Sequence, residues 1–249
     1  MKRTAVFLVC LAVVLAGCTG AGVGDAGGDA GENASGGGAG DGGAMGSEGS
    51  DSDGVANDPT ATGIDPWFDL GDPGRYVFEV DQWTFTGVTT ERFVYETTEV
   101  SGGTATVEFT QEMLVYEGES LTDEEPTVTT VSGPVETIED TLFEEEYSAT
   151  TVPWVLEIAQ YRIVSEFDDR LEVGQRVEQT INGSEIALEV VRVGSYGGVE
   201  CYVVHELVDG DLRGETCTST AFRFPPYVVT YDETGAEDFR IELVEYERR

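Results

Sequence analysis

Between Thr104 and Glu117 the side chains alternate: Ala105, Val107, Phe109, Met113 and Val115 fall on one face, with Thr106, Glu108, Thr110 and Glu112 on the other. A period of two marks a strand with one face buried. The pattern returns in RVEQTINGSEIALEVVRV, where Asn182-Gly183 supplies the two positive-φ positions of a type I′ turn. That turn sets Ile181 opposite Ser184, Gln179 opposite Ile186 and Val177 opposite Leu188. One face then carries Val177, Ile181, Ile186, Leu188 and Val190, while Arg176, Glu178, Glu185 and Glu189 face out.

Further strands are expected at 75–86, 90–100, 126–132, 199–208, 214–219, 227–232 and 238–247. Turns at Ser101-Gly102-Gly103, Asp209-Gly210-Asp211 and Thr234-Gly235 separate several of them. Pro153 to Phe167 reads as a helix, because proline suits a first helical turn and Trp154, Ile158 and Tyr161 share a face. Glu136 to Glu146 fits either a helical turn or a strand. The expected fold is mainly β (a β-rich α+β class): a strongly curved antiparallel sheet or half-barrel with one or two helices. This layout is similar to the half-barrels of bacterial lipoprotein carriers and their lipid-binding relatives, a likeness of architecture that no residue motif carries.

The N-terminus follows a different pattern. Lys2 and Arg3 precede an apolar run, Thr4 to Leu15, of 12 residues. A membrane-spanning helix needs roughly 20, whereas this length suits a secretory signal. Leu15-Ala16-Gly17-Cys18 then places small residues ahead of a thiol and resembles the lipobox of exported lipoproteins. The resemblance implies cleavage after residue 17, lipid on Cys18, and a protein held on the outer face of the cell membrane. Lys2-Arg3 is at best a variant of a twin-arginine pair, so the export route stays open.

From 19 to 60 the chain has 15 Gly, eight Asp or Glu, and no Lys, Arg or aromatic residue, a composition that builds no core. The expected organisation is a signal peptide at 1–17, a lipidated and disordered acidic tether at 18–60, and a single β-rich domain at 61–249.

Charge sets the solvent and narrows the partners. The chain carries 49 acidic and 13 basic residues for a net charge of −36, and Lys2 is its only lysine. Removing residues 1–17 takes away Lys2 and Arg3 and no acid, which brings the net charge to −38. Such self-repulsion opposes compaction in dilute buffer. At 1 M salt the Debye length falls to about 3 Å and screens most of it. An acidic, lysine-free surface resembles the proteins of extremely halophilic archaea. Nucleic acid is excluded as a partner by the lack of a basic footprint, and so is attraction to anionic lipid.

Candidate chemistry is sparse. One histidine, His205, excludes metal sites and mechanisms that need two. Neither a G-x-S-x-G elbow nor a phosphate-binding glycine loop is present in the right setting, so no catalytic residue and no cofactor is assigned and a non-enzymatic protein is expected. Cys201, Val203, His205 and Leu207 alternate onto one face, and Cys217 on the next strand falls opposite Cys201 if the turn centres on Asp209. In an exported chain that favours a Cys201–Cys217 disulfide, with Cys201, His205, Cys217 and a borrowed ligand as the alternative, a zinc or copper site.

Asn33-Ala34-Ser35 and Asn182-Gly183-Ser184 are candidate N-glycosylation sequons, the second equally explained by its turn. Phe222, Phe224 and Tyr227 flank Pro225-Pro226. They either line a ligand cleft or plug the end of the barrel. Two functions remain open: a carrier enclosing an apolar or small-molecule ligand, and an accessory protein that docks an envelope partner such as a surface layer or transporter. Oligomeric state is not legible.

Overall fold

A computed structural model describes residues 68–121, 124–167, 171–220 and 222–249. The signal sequence, Cys18, the tether and the Asn33 sequon lie outside the described residues. Eleven strands form one antiparallel sheet: β1 (Gly74–Thr84), β2 (Gly87–Ser101), β3 (Thr104–Tyr116), β4 (Glu119–Ser120), β5 (Thr127–Pro134), β6 (Arg176–Ile181), β7 (Ser184–Tyr196), β8 (Val199–Val208), β9 (Asp211–Thr218), β10 (Tyr227–Tyr231) and β11 (Glu237–Arg248). Their order is β4-β3-β2-β1-β11-β10-β9-β8-β7-β6, and β5 joins β3 along the edge that β4 also uses. The sheet therefore ends in free edges and does not close. All the expected strands form, and the two-residue β4 is an addition that alternation over so short a span does not reveal.

Between β5 and β6 run two helices, α1 (Ile138–Glu145) and α2 (Thr151–Val164). The ambiguous stretch 136–146 is thus mostly helical, and the second helix starts two residues before Pro153, placing that proline in the first turn where its missing N–H is harmless.

Cross-strand register sorts the sheet into two faces. Thr216, Val228, Ile241, Val80 and Glu91 are successive partners across β9, β10, β11, β1 and β2. On this inner face Tyr76, Phe78, Phe93, Tyr95, Val107 and Phe109 are buried together with Ile138 and Leu142 of α1 and Val152 and Leu156 of α2. Tyr95 donates its hydroxyl proton to the Ala149 carbonyl at 2.8 Å, pinning the turn between the helices to β2. Farther along, Ile163 and Phe167 cover Leu188, Val190, Tyr202 and Val204 of the same face. The helices fill the inner face from β3 to β7.

The sheet is strongly curved. Gly197, at the β7–β8 tip, reaches β11 although three strands separate β7 from β11. A Cβ there would lie 2.6 Å from Leu243 Cγ, and its φ of +55° also favours glycine.

The face of α2 shared by Trp154, Ile158 and Tyr161 is the outward one. Trp154 and Tyr161 point to solvent, 46% and 75% exposed, while Val152, Leu156, Gln160 and Ile163 form the buried face. The helix is apolar nearly all round, so periodicity alone selects no face.

Candidate functional site

Two places bring chemistry-bearing side chains together. The first is on the outer face, where Glu189 of β7, His205 of β8 and Glu215 of β9 are direct cross-strand neighbours. His205 Nε2 lies 3.0 Å from Glu215 Oε2. The other oxygen of Glu215 accepts from Arg192 Nη2 at 3.1 Å and from the Tyr196 hydroxyl at 3.4 Å. A bulge between Val190 and Arg192 brings Arg192 here. Strict alternation from the inward Val190 would turn residue 192 inward, and one extra residue re-aims it outward. Arg176 of β6 completes the row by donating to Glu189 at 3.0 Å. Tyr196 stacks on Tyr227 with centroids 4.1 Å apart, and burial raises the pKa of both phenols.

Alongside this row the expected disulfide is present, with an S–S distance of 2.01 Å and a Cα–Cα distance of 5.4 Å. Its geometry departs from expectation. The turn is centred between Asp209 and Gly210, pairing Val208 with Asp211, and a bulge between Glu206 and Leu207 shifts the register by one more, so Cys217 faces Val203 and bonds Cys201 diagonally. With both sulfurs joined, the three-ligand alternative of Cys201, His205 and Cys217 does not form. Among the described residues no group of three or more Asp, Glu, His or Cys is arranged to hold a metal ion.

As the single histidine of the chain, His205 has no second imidazole to pair with. The structure sets both Glu215 and Arg192 beside this end of β8, and each arrives through a bulge that alternation does not reveal, between Glu206 and Leu207 for Glu215 and between Val190 and Arg192 for Arg192.

The second place is a groove of about 320 Å³ between α2 and the β9–β10 connection. Glu157, Tyr161 and Val164 line one wall, Thr220, Phe222 and Arg223 the other. Gln160 ties the walls together: its Nε2 donates to the carbonyls of Ser219 at 2.7 Å and Phe222 at 3.0 Å, and its Oε1 accepts from the Thr218 hydroxyl. Arg223 pairs with Glu139 of α1 at 2.6 Å and lies over the Phe224 ring at 4.6 Å from its centroid.

Of the three candidate cleft aromatics, only Phe222 reaches this groove. Phe224 packs edge-on against Phe68 at 5.5 Å, and Tyr227 lies beneath Tyr196; all three are buried. Phe224 and Tyr227 pack into the core, and Phe222 alone of the three gives the groove an apolar edge. Asn182, with φ of 53°, sits at the exposed β6–β7 tip, in the predicted register of Ile181 with Ser184.

No protein-family model matches the chain, and no curated protein matches it either. Among solved structures, MucB aligns over 72% of this chain at 12% identity with a TM-score of 0.33. The chain spans only about half of that structure, 54%. A protein from Bacteroides fragilis described as exported, with a YmcC-like fold, aligns over 73% of this chain and 98% of its own at 9% identity and a TM-score of 0.30. One from Parabacteroides distasonis described as a lipoprotein aligns over 74% and 100% at 10% identity and a TM-score of 0.28. Superpositions this loose transfer no residue role.

Proposed function

We propose that this chain is a lipid-anchored protein of the outer cell surface whose β-rich domain acts by binding other molecules through its exterior, without catalysis. One observation supports this over the carrier reading: the inner face of the curved sheet, where a carried ligand would sit, is packed with side chains from α1 and α2. A carrier needs an apolar cavity of several hundred Å³ that encloses most of its ligand. The 320 Å³ groove beside α2 opens outward between exposed Glu157 and Tyr161.

The anchor rests on the lipobox-like residues ending at Cys18, and the surface setting on the acidic, lysine-free mature composition. The test is to purify the full chain from native membranes in high salt and extract it with organic solvent. Mass spectrometry of the extract should return only the lipid covalently held on the N-terminal peptide. A stoichiometric, non-covalent apolar compound would overturn the surface-binding reading in favour of a carrier.

A further inference from the structure

The outward side of α2 carries a stripe that packing inside the domain leaves unused. Trp154, Glu157 and Tyr161 recur at spacings of three and four, which stacks them on one helix face. Glu157 is exposed and has neither an ion pair nor a hydrogen-bond partner among the described residues. Two of the three, Glu157 and Tyr161, form a wall of the groove, and Val164 and Phe222 give it an apolar lining.

Charge decides what fits. Each of the ten arginines among the described residues is already within ion-pair distance of a carboxylate. Among the described residues, the exterior thus offers an anionic partner no unpaired arginine. A cationic group meets the opposite situation at the stripe: a carboxylate with no counter-ion, and aromatic faces whose quadrupoles attract positive charge. The apolar lining suits the methylene stem of a long basic side chain. Arg223 on the far wall is engaged by Glu139, which offsets its repulsion. From Trp154 to Tyr161 the stripe runs about 10 Å at the helical rise, longer than a single amine and long enough for a stretch of peptide.

We propose that this stripe and groove bind an arginine- or lysine-bearing segment of a partner protein, its cationic head between Glu157 and Tyr161 and its stem against Phe222. The assignment deepens the surface-binding reading and rests on it.

The test titrates the full chain with a decapeptide of alternating Arg and Gly, followed by backbone amide shifts in molar salt, where long-range attraction is screened and contact pairing survives. Shifts should concentrate at 154–165 and 220–223. Glu157→Gln and Tyr161→Ala should each weaken binding by about tenfold. Glu233→Gln removes the same charge from the exposed β10–β11 turn and should leave binding unchanged. Shifts spread over the outer-face carboxylates, equal losses in Glu157→Gln and Glu233→Gln, or no binding at all would overturn the proposal. Displacement of the peptide by an equal concentration of tetramethylammonium would overturn the peptide assignment in favour of a small-cation site. A bound apolar compound in the solvent extract would instead sink the surface-binding reading, whatever the peptide does.

Discussion

Glu91 is a carboxylate on the wrong side of a strand. It lies 4% exposed on the inner face of β2, with Gln111 Nε2 donating to its Oε2 at 2.7 Å. Burial raises its pKa, and the Gln111 hydrogen bond offsets only part of that. A folded-state pKa above the unfolded value means the native state holds the proton longer, so stability falls as pH rises through that window. Glu139 and Glu242 are raised by burial and act in the same sense. Glu146, lowered chiefly by the Ser148 hydroxyl, acts oppositely and loses its contribution as pH falls through its folded pKa. Glu91→Gln should therefore be at least as stable as the parent at pH 7, with the difference vanishing as pH falls into the ordinary carboxylate range near about 4. Denaturant melts across that range read the effect directly; a variant clearly less stable at neutral pH would mean the charge is needed. The alternation Glu91, Phe93, Tyr95 marks residue 91 as inward in the sequence itself, but nothing there reveals Gln111 as its partner.

At the scale of elements, local chemistry decides what is legible. The β6–β7 hairpin forms in the register that Asn182-Gly183 dictates, because turn type and apolar pattern agree. The β8–β9 hairpin has an equally clear turn, yet its centre between Asp209 and Gly210 and a one-residue bulge together set Cys217 opposite Val203, two positions from Cys201. A bulge needs only one extra residue and leaves no compositional trace. The orientation of α2 was hidden for another reason. Its decisive residue, Gln160, is polar and buried, and its partners Thr218, Ser219 and Phe222 lie some sixty positions later. Gln160→Leu should cost about 1–3 kcal/mol, because it strips buried polar groups of their partner. Amide exchange should then quicken together in the second half of α2 and in 218–222. If exchange quickens in only one of them, Gln160 is not the tie between them.

For the molecule as a whole, electrostatics governs stability. Ion pairs engage the described arginines along the outer face, as in Glu79–Arg92–Glu112 and Asp81–Arg240–Glu237, but acids outnumber them severalfold. Exposed pairs of this kind contribute little singly, so the surplus repulsion is left to the solvent. The domain should lose structure below about 1 M salt as screening fails; circular dichroism unchanged after dialysis to low salt would refute this. Strand positions were readable at this scale, whereas strand order was not, because alternation identifies a strand without identifying its neighbour.

That order has a consequence for how the molecule is made. The last strand, β11, is the central seam: it joins the β1–β5 half to the β6–β10 half through nine paired positions with β1. Until it emerges from the ribosome or the export channel, two rows of unmet amides stand open, one on β1 and one on β10. Joining of the two halves thus waits for β11, and this distant closure predicts slow folding. A chain ending at Ala236 would lack the strand that joins its halves. It would be an adhesive fragment, ready to pair with its own kind.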